Sequence, residues 1–189
     1  MNGKYKVIYA DPPWQFETWS DKGKGRSAEK HYDTMPLEDI KKLPVGKLAD
    51  KDCALFIWAT SPMIQQALEV IKSWDFTYKT VAFTWVKKDM TGKLFNGLGF
   101  WTRANSEFCL IATKGSPKRT SFNTSQIVMT KKRQHSRKPD EVRELIVKLM
   151  GDVPRIELFA RHRFEGWDVW GKEAPKQIQK KLKGLKNDI

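Results

Sequence analysis

The sequence predicts an α/β protein of the doubly wound class, with a central, mostly parallel sheet flanked by helices. Three observations carry that reading. Short runs rich in β-branched and aromatic residues, beginning with Val7-Ile8-Tyr9 and Cys53–Ala59, alternate with segments of helical apolar spacing. The first run stops at Asp11-Pro12-Pro13, which sets a carboxylate at the end of a strand, where sheets of this class bind ligands. No Gly-x-Gly-x-x-Gly is present, so the usual dinucleotide fingerprint is missing.

The first strand ends in Ala10-Asp11-Pro12-Pro13-Trp14. Each proline fixes its own φ and lacks an N–H, and Pro13 holds Pro12 extended. The Asp11 carboxylate and the Pro12 carbonyl are thereby predicted to stand side by side as acceptors, with the flat face of Trp14 next to them. Two rigid acceptors beside an aromatic plane suit a planar heteroaromatic that carries an amino group. The exocyclic amine of adenine is a poor nucleophile because its lone pair is delocalised into the ring. Accepting both of its N–H groups localises that pair, so Asp11, Pro12, Pro13 and Trp14 are the candidate catalytic residues. A strand ending in an ordinary Pro-Pro turn is the plainer alternative for Asp-Pro-Pro alone.

From Trp14 to about Lys30 the chain is polar and glycine-bearing and reads as a lid-like loop beside the site. Pro36 opens a short helix to Leu43, acidic first and basic last. Cys53–Ala59 is a second strand. Ser61 as N-cap and Pro62 at the first helical position start a helix to about Trp74. Phe76–Lys87 contains a third strand, Lys87–Ala104 is loop-like, and Phe108–Thr113 is a fourth strand. Pro139 at the first position, Asp140 and Glu141 in the first turn, and Val142, Leu145, Ile146 and Leu149 define a helix stopped at Gly151. Arg155–Phe159 is a fifth strand, and Phe164–Trp170 a final short strand or turn.

Charge and composition narrow the partner. The formal net charge is +13, which points to a polyanion. Between Glu107 and Asp140 the sequence has no acidic residue, while lysines and arginines recur among Ser, Thr, Asn and Gln. An irregular basic stretch of that kind suits phosphate contacts, with Lys131, Lys132, Arg133, Ser136, Arg137 and Lys138 as candidates; a solvated surface loop is the alternative. No apolar run is long enough to span a bilayer, and the N-terminus lacks a signal-peptide hydrophobic region. Cys53 and Cys109 lie in apolar runs, as buried reduced thiols do, so a cytoplasmic or nucleoid-associated location is expected. The histidines and cysteines show no metal-ligand spacing. The chain reads as a single domain over 1–173 with a lysine-rich, partly flexible tail over 174–189.

Beyond Asp11-Pro12-Pro13-Trp14, the blocks His31-Tyr32-Asp33-Thr34-Met35, Phe56-Ile57-Trp58-Ala59-Thr60, Thr84-Trp85-Val86-Lys87, Gly99-Phe100-Trp101, Ser136–Glu141 and Ile156–Arg161 follow in order. Together they resemble the MT-A seventy-kDa-subunit family of S-adenosylmethionine-dependent adenine-N6 methyltransferases, over residues 5 to about 173. The resemblance implies a circularly permuted Rossmann-like methyltransferase fold, with the catalytic strand first and the cofactor-binding strand late. It implies that Tyr32 helps hold the target adenine. The late strand end, with Glu157, Phe159 and Arg161, and then Gly171 and Glu173, would face the cofactor together with Asp11. Arg161 would lie near the ribose and Arg163 near the methionine end.

The chain departs from the family at three places. The acidic residue that contacts the cofactor adenine upstream of the catalytic motif is missing or supplied from elsewhere. Gly171-Lys172-Glu173 replaces Gly-Asn-Gln or Gly-Asn-Glu. Ser106 stands where relatives have a lysine for the cofactor carboxylate, and Arg103 is the substitute. No dedicated RNA-recognition module or zinc finger is visible, and small chains of this kind look like bacterial and phage DNA-modifying relatives. DNA, with the target adenine flipped out of the duplex, is the expected substrate. RNA and a catalytically silent nucleic-acid-binding subunit remain the alternatives, and a monomer and a homodimer are both open.

Overall fold

Residues 5–10 form the first strand because every second side chain can be buried on either side of a sheet. The computed structural model describes residues 5–15, 34–97, 99, 101–133 and 137–171. In chain order the elements are β1 (Tyr5–Ala10), α1 (Leu37–Lys41), β2 (Ala49–Ala59), α2 (Ile64–Ser73), β3 (Thr77–Lys88), β4 (Ser106–Lys114), β5 (Ile127–Lys131), α3 (Glu141–Met150), β6 (Arg155–Leu158) and β7 (Asp168–Trp170). The strands make one sheet in the order β5-β3-β4-β2-β1-β6-β7. All run the same way except β4, which is antiparallel to both β2 and β3. This is the predicted Rossmann-like α/β class.

The alternation along β1 feeds two cores. Ile8 and Ala10 join Ile40 of α1 and Ala67 and Val70 of α2 on one face. Val7 and Tyr9 join Val142, Ile146 and Met150 of α3 on the other. Central β2 is buried on both faces, with Cys53 through Ala59 at 1% exposure or less. A continuous apolar run is what a doubly covered strand requires.

The structure moves some boundaries. α2 starts at Ile64 with Met63 as its cap, and Ser61 makes no side-chain cap hydrogen bond. Thr60 is extended, and Ser61–Met63 form a 3-10 turn with Pro62 in its first positions, which delays the helix by one turn. α3 begins at Glu141, two residues past Pro139, and stops at Gly151, whose φ of 81° favours glycine. The larger correction is β5, which lies inside the stretch expected to be irregular. It is an edge strand with β3 as its neighbour, so Val128 is buried while Ile127 and Met129 stay exposed. One-sided burial over five residues leaves no clear apolar run. The expected lid and the tail over 174–189 lie outside the described residues. Among the described residues no helix is long and apolar enough to cross a membrane.

One buried contact fixes the helical layer beside the first core. Trp74, 1% exposed, closes α2 and donates its indole N–H to the Ile40 carbonyl of α1 at 3.0 Å. Trp74→Phe removes the donor and leaves the Ile40 carbonyl with the Leu43 amide at 3.2 Å, so one hydrogen bond is lost, which costs about 0.5–1.5 kcal/mol. Denaturant unfolding should show a loss of that size without a change in secondary structure.

Candidate active site at the carboxyl ends of the strands

The strands that run together bring their carboxyl ends to one edge of the sheet, and Asp11 stands there at the end of β1. Ala10 pairs with Ile57 of β2 on one side and Leu158 of β6 on the other. The turn after Asp11 is held by its own backbone. The Trp14 amide donates to the Pro12 carbonyl at 2.9 Å, and the Met35 amide donates to the Pro13 carbonyl at 2.9 Å. The Pro12 carbonyl keeps a second lone pair. Trp14 is 5% exposed and sends its indole N–H to the Trp58 carbonyl at 3.0 Å. It therefore pins the Asp11–Pro13 turn to β2 and has little free face to offer a base. Tyr32 lies outside the described residues.

Lys138 is the residue the sequence reading misplaced. It was grouped with the phosphate-contacting cations, but it is 9% exposed and its ammonium lies 2.9 Å from both oxygens of Asp11. The same ammonium stands 3.2 Å from Oε2 of Glu107, at ion-pair distance without hydrogen-bond alignment. Lys87 at the end of β3 closes on the other oxygen of Glu107. The Trp58 ring lies beneath, 5.7 Å from the Lys138 ammonium. A chain of alternating charge thus runs Lys87–Glu107–Lys138–Asp11 across β3, β4, β2 and β1. Glu107 carried the signal that was missed. An acidic residue at the head of an apolar strand is buried by alternation, and a buried carboxylate needs a cation.

The proton affinities follow from this arrangement. Burial raises the Asp11 carboxyl above its usual value, against the downward pull of Lys138 and, further off, Arg161. Burial also acts to raise Glu107, but Lys138 and Lys87 outweigh it and leave that carboxyl low. Burial disfavours the Lys138 ammonium, yet the two carboxylates outweigh it and raise its pKa. At neutral pH the site holds two cations and two anions, and Asp11 is the anion most ready to take a proton.

The late strand shapes the other side of this edge. Phe159 follows β6 with φ at 61°, an uncommon conformation for a bulky residue and one that concentrates at functional sites. Its ring meets Trp170 edge-on at 5.4 Å, and the Ala160 amide donates to the Trp170 carbonyl at 3.0 Å. Gly171 fits because a Cβ there would overlap the Ala160 carbonyl and stand 2.8 Å from the Ala160 nitrogen. Thr60, just past β2, has a buried hydroxyl with no hydrogen-bond partner. An aromatic wall, a side chain-free turn and an orphaned donor at adjoining strand ends fit an elongated nucleoside ligand. Arg161 is half-buried at the same edge, and Glu173 lies outside the described residues.

Other candidates fall elsewhere. Both oxygens of Glu157 are taken by Arg143 of α3, at 2.6 and 2.7 Å, on the sheet face opposite α2. That buried pair withdraws Glu157 from the cofactor role assigned to it. Arg163 lines a cavity of about 660 Å³ with Tyr5, Arg155 and Asp168, the first residues of β1, β6 and β7. It therefore faces the amino ends of the strands, away from Asp11, and not a methionine end. Arg103 is exposed in the β3–β4 connection. In the basic stretch, Lys131 and Lys132 are exposed at the end of β5, whereas Arg133 and Arg137 pair with Asp140, and Arg133 also with Glu141. Ser136 lies outside the described residues.

Lys138→Met should be among the costliest single changes here, because it strands the mostly buried Asp11 carboxylate and leaves Glu107 with Lys87 alone. Breaking a buried pair by removing one partner costs about 3–5 kcal/mol. In the variant Asp11 would bind its proton more tightly folded than unfolded, so stability is retained at low pH and lost as pH rises through its folded value. Denaturant unfolding at pH 7 and pH 5 should show the deficit shrinking at pH 5. A deficit that is independent of pH would mean that charge is not its cause.

Comparison with known proteins agrees with this geometry. The family model described as MT-A70 matches residues 5–173. The chain is 36% identical to "Type II methyltransferase M.MunI" from Mycoplasma sp, with 91% of this chain and 78% of that protein covered. It is 29% identical to "N(6)-adenosine-methyltransferase catalytic subunit METTL3" from Homo sapiens, over 84% of this chain but only 26% of that protein. It is likewise 29% identical to "N(6)-adenosine-methyltransferase MT-A70-like" from Arabidopsis thaliana, over 87% of this chain and 23% of the relative. With most of its length matched by the family model and its Asp-Pro-Pro-Trp turn at the head of the sheet's carboxyl edge, the chain belongs to the MT-A70 family.

Proposed function

We propose that this protein transfers a methyl group from S-adenosylmethionine to the N6 amine of adenine in DNA. The observation that carries the proposal is Asp11, an anion fixed by Lys138 at the end of β1 beside the Pro12 carbonyl. Each oxygen of the carboxylate keeps lone pairs beyond those facing the ammonium. One N–H of the amine donates to Asp11 and the other to the Pro12 carbonyl, which turns the nitrogen lone pair away from the ring and outward. When bound, S-adenosylmethionine supplies an electrophilic methyl group on its sulfonium. Asp11, whose carboxyl is raised, is also placed to take the proton that the amine gives up. Positioning and a fixed electrostatic field supply the catalysis, with no covalent enzyme intermediate. Phe159, Trp170, Gly171, Thr60 and Arg161 would line the cofactor's side of the edge.

DNA is preferred because the relative matched over most of both chains is a type II methyltransferase, a name that belongs to DNA modification. RNA is the second reading, since other relatives are named N(6)-adenosine-methyltransferases. Methyl incorporation into matched DNA and RNA of the same sequence separates the two. The chain Lys131, Lys132, Arg133, Arg137 leads across the carboxyl edge from β5 towards Asp11. β5 lies four strands from β1, about 19 Å away at the usual strand spacing.

Asp11→Asn tests the chemistry. Removing one positioned charge commonly costs about 10²–10³ in rate, and the far-ultraviolet dichroism should not change. In the parent enzyme kcat/KM should fall on the acid side as Asp11 protonates, with a midpoint above the ordinary aspartate value of about 3.9 because the carboxyl is raised. Near-normal turnover by the variant at saturating substrate would refute the assignment.

The phosphate track has its own test. Lys131→Ala with Lys132→Ala should weaken binding to duplexes of any sequence and flatten the log affinity–log salt slope by about 0.9 per lost contact. Arg133→Ala should add less, since Asp140 and Glu141 already engage that guanidinium. An unchanged slope would make these lysines ordinary surface charge.

A further inference from the structure

Trp101 is 99% exposed, the most exposed large hydrophobic residue among those described. It belongs to the connection between β3 and β4, which also exposes Met90 at 70% and Leu94 at 53%. A tryptophan left wholly in water is unusual, and contiguous exposed apolar side chains mark interaction sites. This connection is built, not slack. Lys88 bridges to Leu94 and Gly97 to Ala104, with the Gly97 amide donating to the Ala104 carbonyl at 2.9 Å. A Cβ at Gly99 would overlap the Thr102 carbonyl, so the turn beneath Trp101 is closed tightly.

Its placement is as telling as its exposure. β3 runs parallel to β1, so the connection leaves the sheet at the same carboxyl edge as Asp11. β3 is three strands from β1, about 14 Å along that edge. The surroundings are cationic. Lys87 is held by Glu107, but residues 88–105 still contain Lys88, Lys93 and Arg103 against a single acid, Asp89, whose carboxylate is occupied by the turn at Thr91 and Lys93. Lys132 of the basic stretch lies over the Phe95 ring at 4.4 Å, joining the connection to the end of β5. An exposed aromatic on a connection that also carries cations is the combination that takes nucleic-acid bases by stacking and their phosphates by charge.

We propose that Trp101 is a base-stacking wedge that enters duplex DNA beside the target and holds open the gap left when the adenine turns into the Asp11 site. The inference rests on the DNA-methylating reading above. An adenine buried in a duplex cannot reach Asp11 until it is extruded, and unstacking is the step that such a wedge repays. A single strand has no stack to open and gains little from the wedge.

The test compares the parent protein, Trp101→Ala and Trp101→Phe on sheared chromosomal DNA, native and heat-denatured, with tritiated S-adenosylmethionine as donor. Trp101→Ala should lose about 10-fold or more of kcat/KM on native DNA, one stacked base's worth, and change less than about twofold on denatured strands. Trp101→Phe should recover most of the loss, and S-adenosylmethionine affinity should be equal in all three. Equal losses on both substrates, or none on either, would overturn the wedge. So would a parent enzyme that methylates only the denatured strands. A shift from dimer to monomer in light scattering for Trp101→Ala, with the duplex-to-strand ratio unchanged, would reassign the residue to self-association. If the parent methylates neither DNA, the DNA reading itself fails, which is a different result.

Discussion

The structure turns on one chain of charges, Lys87–Glu107–Lys138–Asp11, laid along one edge of the sheet from the carboxyl end of β3 past the amino end of β4 to the carboxyl end of β1. Each member answers a constraint set by another. Glu107 is buried by the alternation of β4 and requires a cation. Lys138 is buried by its place just before α3 and requires an anion. Asp11 is fixed at a strand end by two prolines and is therefore available. Desolvating such groups costs several kcal/mol apiece, so the array persists because every charge is matched. Its effect is to hold the Asp11 carboxylate in one orientation while burial keeps its proton affinity above that of a surface aspartate.

Around that array the sheet divides the labour. The face towards α1 and α2 is plain packing, sealed by Trp74. The face towards α3 is packing and polar support together. Tyr9 accepts the Trp58 indole N–H at 2.6 Å, and Arg143 lies 3.6 Å from the Phe164 ring centre while binding Glu157. The second buried pair, Arg143–Glu157, anchors α3 to β6 just below the site. The helix that follows Lys138 is thereby fixed, and Lys138 with it. A cation delivered from the start of an anchored helix is placed more narrowly than one on a free loop.

The basic character of the chain takes on structure at the same edge. Some of the positive charge is internal: Lys87, Lys138 and Arg143 are spent on carboxylates, and Arg133 and Arg137 on the first turn of α3. These pairs cancel charge for charge, so the net charge of +13 is carried by the other residues, Lys131 and Lys132 among them. Among the described residues, exposed cations on the carboxyl edge include Lys131 and Lys132 at the end of β5 and Arg103 in the β3–β4 connection.

The sequence by itself determined the architecture and the position of the reactive turn. Apolar runs of strand length, helical spacing and the Pro-Pro stop are local signals, and they read correctly for β1 through β4, for α2 and α3, and for Asp11 at a strand end. It missed β5 because an edge strand buried on one side carries too few apolar residues to be told from a polar loop. What only the tertiary structure decided was which charges meet. Lys138 is 127 residues from Asp11 in the chain, and Glu157 is claimed by Arg143 on the far face of the sheet. Ion pairing depends on distance in space and on burial, and neither is written in the local pattern. For that reason a lysine that reads like its basic neighbours becomes the partner of the Asp11 carboxylate, and a glutamate at a strand end becomes part of the core.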